Sequence, residues 1–84
     1  MAKTFFPNAK QTIYVEASEP HPKNTQYKIS IGLESWGNEN HEVVKVQMVY
    51  DGKISGRRSP SYPIGTDDFQ RVMTKVNELI SNRE

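Results

Sequence analysis

Apolar and polar residues alternate from Gln11 to Ala17, with Ile13, Val15 and Ala17 on one side and Thr12, Tyr14 and Glu16 on the other, the period of a half-buried strand. Ser18 to Asn24 contains two prolines, which cannot donate to a ladder, and reads as an exposed connection. From Tyr27 to Trp36 the alternation resumes: Tyr27, Ile29, Ile31 and Leu33 point inward, and Lys28, Ser30, Gly32, Glu34 and Trp36 outward. Gly37 to Glu42 supplies loop residues, and Val43 to Tyr50 gives a third strand with Val44, Val46, Met48 and Tyr50 on the core side.

Asp51-Gly52 marks a hairpin turn, and its loop length decides which side chains share a face. A two-residue loop pairs Tyr50 with Lys53 and Val46 with Arg57, driving two cations onto the apolar face. A three-residue loop with Gly52 left-handed pairs Met48 with Ile54 and Lys45 with Arg57, and is preferred because it keeps the charges in water. The fourth strand runs from Lys53 to Arg58 and stops at the prolines of Ser59-Pro60-Ser61-Tyr62-Pro63; the pairing of Ser59 to Ile64 stays open. Thr66 or Asp67 then caps a helix on which Phe69, Val72, Met73, Val76, Leu79 and Ile80 recur at helical spacing.

The expected fold is α+β: a four-stranded antiparallel β-meander followed by one C-terminal amphipathic helix packed on one sheet face, β-β-β-β-α. At 84 residues the chain is one small domain spanning 1–84, with flexible ends at 1–10 and 81–84. A chain this short buries only about 60–65% of its unfolded surface, which favours association with a second copy. The net charge of +1 advertises no polyanion partner in bulk, so any basic site must be local. With no cysteine, disulfides and thiolate metal sites are excluded. No signal-peptide or membrane-spanning run is visible, and a cytoplasmic location is the default.

Catalytic chemistry finds little to work with. His21 and His41 fall in loops without metal or triad spacing. Asp67 and Asp68 point about 100° apart on a helix and suit its positive N-terminal end better than a carboxylate dyad. No phosphate loop, dinucleotide fingerprint or calcium loop occurs. No enzyme activity, metal or cofactor is expected. Arg57 to Pro63 has the spacing of a polyproline-groove ligand, and Ser59 beside two arginines that of a phosphorylation site, but prolines between a strand and a helix more simply end the strand.

The outward sheet face carries the candidate site. In the preferred register Tyr14, Lys28, Trp36, Lys45, Lys53 and Arg57 lie there: aromatic plates among cations, the combination that binds single-stranded nucleic acid through stacking and phosphate contacts. Lys45 opposite Arg57 costs about a few tenths of a kcal/mol unless something negative is near, and a phosphate or Glu34 would serve. The strand order, Ser35-Trp36 closing the second strand, Gly56-Arg57-Arg58, and Asp67-Asp68-Phe69 at the helix start make the chain similar, over about residues 27–70, to the single-stranded-DNA-binding domain of the positive cofactor four family. That resemblance implies a dimer whose sheet faces form a DNA channel lined by basic and aromatic residues. The alternative is a protein-interaction or self-association module, a homodimer in which Val43, Val49 and Trp36 bury against a second copy or a partner. The plain alternative to both is an ordinary solvated sheet face.

Overall fold

The computed structural model describes residues 4–83; of the ends expected to be flexible, residues 1–3 and 84 lie outside the described residues. Strands β1 (Phe5–Glu16), β2 (Thr25–Trp36), β3 (Glu39–Tyr50) and β4 (Lys53–Ser55) form one antiparallel sheet in the order β1-β2-β3-β4, and α1 (Asp68–Ser81) packs on one face of it. The α+β meander-plus-helix architecture expected from the alternation is therefore the one formed. Its core also follows the alternation. Val15 of β1, Tyr27, Ile29 and Ile31 of β2 and Met48 of β3 meet Val72 and Leu79 of the helix, with Ile13, Ala17, Val44, Val46, Tyr50, Met73 and Val76 packed around them.

The helix is shorter than the strands it covers. Fourteen residues rise about 21 Å, whereas twelve-residue strands span about 40 Å. The end of the sheet at the β2–β3 hairpin is left uncovered, so Leu33, expected to be buried, is half exposed; Phe69 and Ile80, near the two ends of the helix, are half exposed as well.

Both hairpins close with two-residue loops. Trp36 pairs with Glu39 across Gly37-Asn38, and Tyr50 with Lys53 across Asp51-Gly52. Asp51 and Gly52 have φ of 51° and 78°, the two positive values of a type I′ turn. This corrects the three-residue loop, whose rationale assumed a strand running on to Arg58. β4 ends at Ser55, so Arg57 never reaches the ladder, and the two-residue turn puts no arginine opposite Val46.

β1 starts at Phe5, six residues earlier than the alternation indicates. The alternation is lost because the strand is interrupted: Pro7 pairs with Gly32 and Thr12 with Ser30, so the four residues Asn8 to Gln11 stand against the single position of Ile31 and leave the ladder. This bulge holds itself together. Asn8 Oδ1 accepts from the Lys10 amide at 3.0 Å, and the Asn8 carbonyl accepts from the Thr12 hydroxyl at 2.8 Å. Beyond it the chain lies tight against β2 at Gly32, where a Cβ would sit 2.7 Å from Pro7 Cα and collide with the Phe6 carbonyl; only glycine admits this approach.

A polar latch fixes the helix N-terminus to the other end of the sheet. Asp68 is fully buried, and its Oδ2 accepts from the Ser18 amide at 2.9 Å and the Tyr27 hydroxyl at 2.8 Å. Its Oδ1 accepts from Arg71 Nη2 at 2.6 Å, and Arg71 also donates to Asp67 and to the Glu16 carbonyl. Burial alone would raise the Asp68 carboxyl, but the bonds from Ser18, Tyr27 and Arg71 outweigh it and hold the group at about 2. Burial, and then the bond to Asp68, push the Tyr27 phenol well above its usual range. Asp68 thus anchors the fold, beyond the favourable placement near a helix dipole expected of it.

Candidate functional site

Sheet parity divides the six candidate residues. Tyr14, Lys28, Trp36 and Lys45 all lie on the face away from the helix, since Tyr14 pairs with Lys28, Lys28 with Gln47, Ser30 with Lys45 and Trp36 with Glu39. Lys53 and Arg57 do not join them. Lys53 pairs with Tyr50, which belongs to the helix face, and Arg57 sits exposed in the bend after β4. The register that would have brought them over needed a three-residue turn and a longer β4. Lys45 therefore stands across from Ser30, and the expected Lys45–Arg57 pair does not form.

Three of the four residues that do share the face, Lys45, Trp36 and Lys28, are already engaged or recessed. The Lys45 ammonium pairs with the Glu34 carboxylate and sits 5.2 Å from the centroid of the Phe5 ring. Trp36 donates Nε1–H to Glu34 at 2.8 Å, and its ring lies 4.4 Å from that of His41. Bonds from Lys45 and Trp36 hold the Glu34 carboxyl below its usual range. Lys28 is 8% exposed, its stem buried among its neighbours. Only Tyr14 and Trp36 offer open aromatic surface, at 52% and 56% exposure. The same face carries the carboxylates of Glu16, Glu34 and Glu39 beside the two lysines, so its charge is mixed. Ser30 Oγ and Gln47 Oε1 lie buried there with no hydrogen-bond partner among the described residues.

The two histidines are less idle than their loop positions imply. His21 donates to the Ser61 carbonyl at 2.8 Å and packs edge-on to Tyr27, whereas His41 belongs to β3. Ser61 also lies 2.9 Å from the Tyr27 hydroxyl, and Tyr62 stacks on Tyr27 and meets Phe69 edge-on. The proline segment is thereby laid against the core without pairing as a strand. Among the described residues, no three His, Asp or Glu gather as a metal site, and no helix is long and apolar enough to cross a membrane.

A second feature escaped the sequence: the edge of β3. β3 pairs with β2 along its whole length, but β4 covers it only from Met48 to Tyr50. Residues closing a two-residue hairpin exchange both backbone bonds. Tyr50 therefore points its N–H and C=O toward β4, and by the period of two Asn40, Glu42, Val44 and Val46 point theirs to the same side, where β4 has ended. Along this edge lie Val43 and Lys45 on the outer face and Val44 and Val46 on the helix face, beside Ile80 and the Arg83–Glu42 ion pair. Val49, expected at an outer-face interface, is instead buried within the chain, across from Ile54 of β4. Neither the missing β4 ladder nor this edge could be read while the fourth strand was drawn to Arg58. No protein-family model, curated protein or solved structure matches this chain.

Proposed function

We propose that the chain is a protein-interaction module that takes an added strand on the open edge of β3. The observation that carries this is the mismatch between a twelve-residue β3 and a three-residue β4. It leaves a row of backbone donors and acceptors with no partner among the described residues, flanked by β-branched side chains, of the kind that templates β-augmentation. Most sheet edges are blunted by bulges, prolines or charge; the segment Val43 to Gln47 has one lysine and neither of the other devices.

A synthetic peptide copying residues 38–48 tests the edge. On adding it to the dilute full chain, the amides of Asn40, Glu42, Val44 and Val46 should slow in hydrogen exchange. Val44→Pro, which removes a donor on the open side and leaves the β2 ladder intact, should abolish that slowing. Unchanged exchange at all four amides would defeat the reading.

The nucleic-acid reading keeps one supporting observation, the shared face of Tyr14, Lys28, Trp36 and Lys45. Against it weigh the departure of Lys53 and Arg57 and the three carboxylates interleaved on that face. Its test is quenching of Trp36 fluorescence by a short oligothymidylate at low salt, with affinity falling steeply as salt rises. No quenching at micromolar protein would remove it.

A further inference from the structure

We infer that the strand taken by the β3 edge is β3 of a second copy, running antiparallel about a two-fold axis through Glu42. This rests on the strand-addition reading above and specifies its occupant and register. Two adjacent antiparallel strands related by a two-fold axis keep the same faces up, so helix-face residues must meet helix-face residues and the axis must pass through a residue position.

Steric limits then select the position. An axis at Val43 sets Asn38 of the second copy against Met48, and an axis at Val44 sets its Glu39 against Val49; both places are occupied by β4. An axis at Glu42 sets Asn38 of the second copy against Val46, where β4 has not begun, and it is the longest ladder that clears β4. An axis at His41 shortens the ladder further.

Charge independently favours the same register. With Glu42 on the axis, Lys45, which also pairs with Glu34 of its own chain, lies directly across from Glu39 of the second copy, and Glu39, 3.1 Å from the His41 ring of its own chain, across from its Lys45, both on the outer face. Opposite charges at directly opposed positions are favourable cross-strand pairs. The axis itself brings Glu42 against its own copy, a like-charge contact taken alone, but each Glu42 already pairs with Arg83 of its own chain. Two such pairs alternate in sign around the axis, and each guanidinium has donors to spare for the second carboxylate. On the helix face, exposed Ile80 and the shallow notch it lines with Ile31, Val44 and the Glu42–Arg83 pair lie beside the same axis. The backbone groups of Asn40, Glu42 and Val44 meet those of Val44, Glu42 and Asn40 of the second copy, adding about six hydrogen bonds. The resulting sheet is continuous over both chains, with both helices on one side. An interface this narrow is small beside the roughly 1,600 Å² of a standard complex, so the dimer should dissociate in the micromolar range.

Sedimentation equilibrium of the full chain between about 5 and 500 µM should show monomer passing to dimer. Lys45→Glu and Glu39→Lys, each alone, place two like-charge pairs across the interface and should weaken self-association at least tenfold. An equimolar mixture of the two variants restores both opposite-charge pairs and should form a heterodimer at least tenfold tighter than either homodimer. Circular dichroism confirms that each variant is folded. Glu42→Cys supplies a readout independent of charge. Residues opposed as a hydrogen-bonded pair lie about 5.5 Å apart at Cα, within disulfide reach. In this cysteine-free chain, mild oxidation should therefore link Glu42→Cys to its own copy and leave Val46→Cys unlinked. Monomer at 500 µM, no gain on mixing the charge variants, or equal cross-linking at positions 42 and 46 would overturn the inference. Peptide protection of the edge amides in a chain that stays monomeric would overturn it too, while leaving the strand-addition reading in place.

Discussion

Replacing Asp68 by asparagine tests how the helix is tied to the sheet. The side chain keeps its shape and one oxygen, but it loses its charge and turns an NH2 toward donors on at least one side. At Oδ2 the donors are the Ser18 amide and the Tyr27 hydroxyl; at Oδ1 the donor is Arg71 Nη2. Hydrogen bonds to a charged group contribute about 1.5–3 kcal/mol and neutral ones about 0.5–1.5. Arg71 keeps Asp67 and the Glu16 carbonyl, so no guanidinium is left unpaired. The tyrosine can turn its single hydroxyl proton to the Ser61 carbonyl instead. Downgrading three bonds and setting one NH2 against a donor should cost about 2–4 kcal/mol. A chain of this size has about 4–13 kcal/mol in all, and each kcal/mol is worth about 4–8 °C in Tm. Asp68→Asn should therefore melt about 10–30 °C lower in circular dichroism at pH 7. Asp67→Asn, which loses only an exposed pair to Arg71, should cost less than about 1 kcal/mol. The pH dependence gives a second test. Folding lowers the Asp68 carboxyl from 3.8 to about 2, so its contribution is complete above about pH 5 and is lost progressively as pH falls from there through 2. Urea midpoints of the wild type should drop across that window, and those of Asp68→Asn should drop less. A variant within 1 kcal/mol of wild type at pH 7, or two parallel pH profiles, would refute the latch.

Gly32→Ala places a methyl against the Phe6 carbonyl and Pro7 Cα; the N-terminal half of β1 should lift off, seen as accelerated amide exchange at Ser35, whose N–H is held by the Thr4 carbonyl. Gly52→Val forces a β-branched residue to a φ of 78° and should cost about 1 kcal/mol or more in denaturant unfolding; a neutral result would contradict the type I′ turn. Leu79→Ala should cost about 2–4 kcal/mol and Ile80→Ala far less, since only Leu79 is buried; equal losses would mean the helix is turned the other way.

The apolar alternation made the order of elements and most of the core legible, because parity in a strand and spacing in a helix depend only on neighbours in sequence. Tyr27, Ile29 and Ile31 were assignable for that reason, as were Val15, Met48, Val72 and Leu79. What depended on strand ends was not legible. Charge at Lys53 and Arg57 argued for a longer turn, on the premise that β4 continued past Gly56; with β4 stopping at Ser55 that premise fails, and both residues leave the proposed face. Phe5 and Pro7 were invisible as strand residues because Asn8 to Gln11 break the period. The role of Asp68 was hidden for another reason: its partners Ser18 and Tyr27 lie 50 and 41 residues away, and no local pattern encodes such a meeting.

The bulge in β1 has a consequence for how large an assembly can grow. A sheet has two lateral edges, and a chain adhesive at both would add copies head to tail without end, as fibres do. In this protein the far edge belongs to β1. There Pro7 has no N–H to offer, and Asn8 to Gln11 direct side-chain and backbone bonds inward on themselves. That edge presents no continuous template to an incoming strand. Growth through β3 then ends at the first partner, since the pair so formed exposes only the interrupted β1 edges and the three-residue β4 edges to the solution. The irregularity that hid the first half of β1 from the sequence pattern sets a finite size on what the open β3 edge would otherwise propagate.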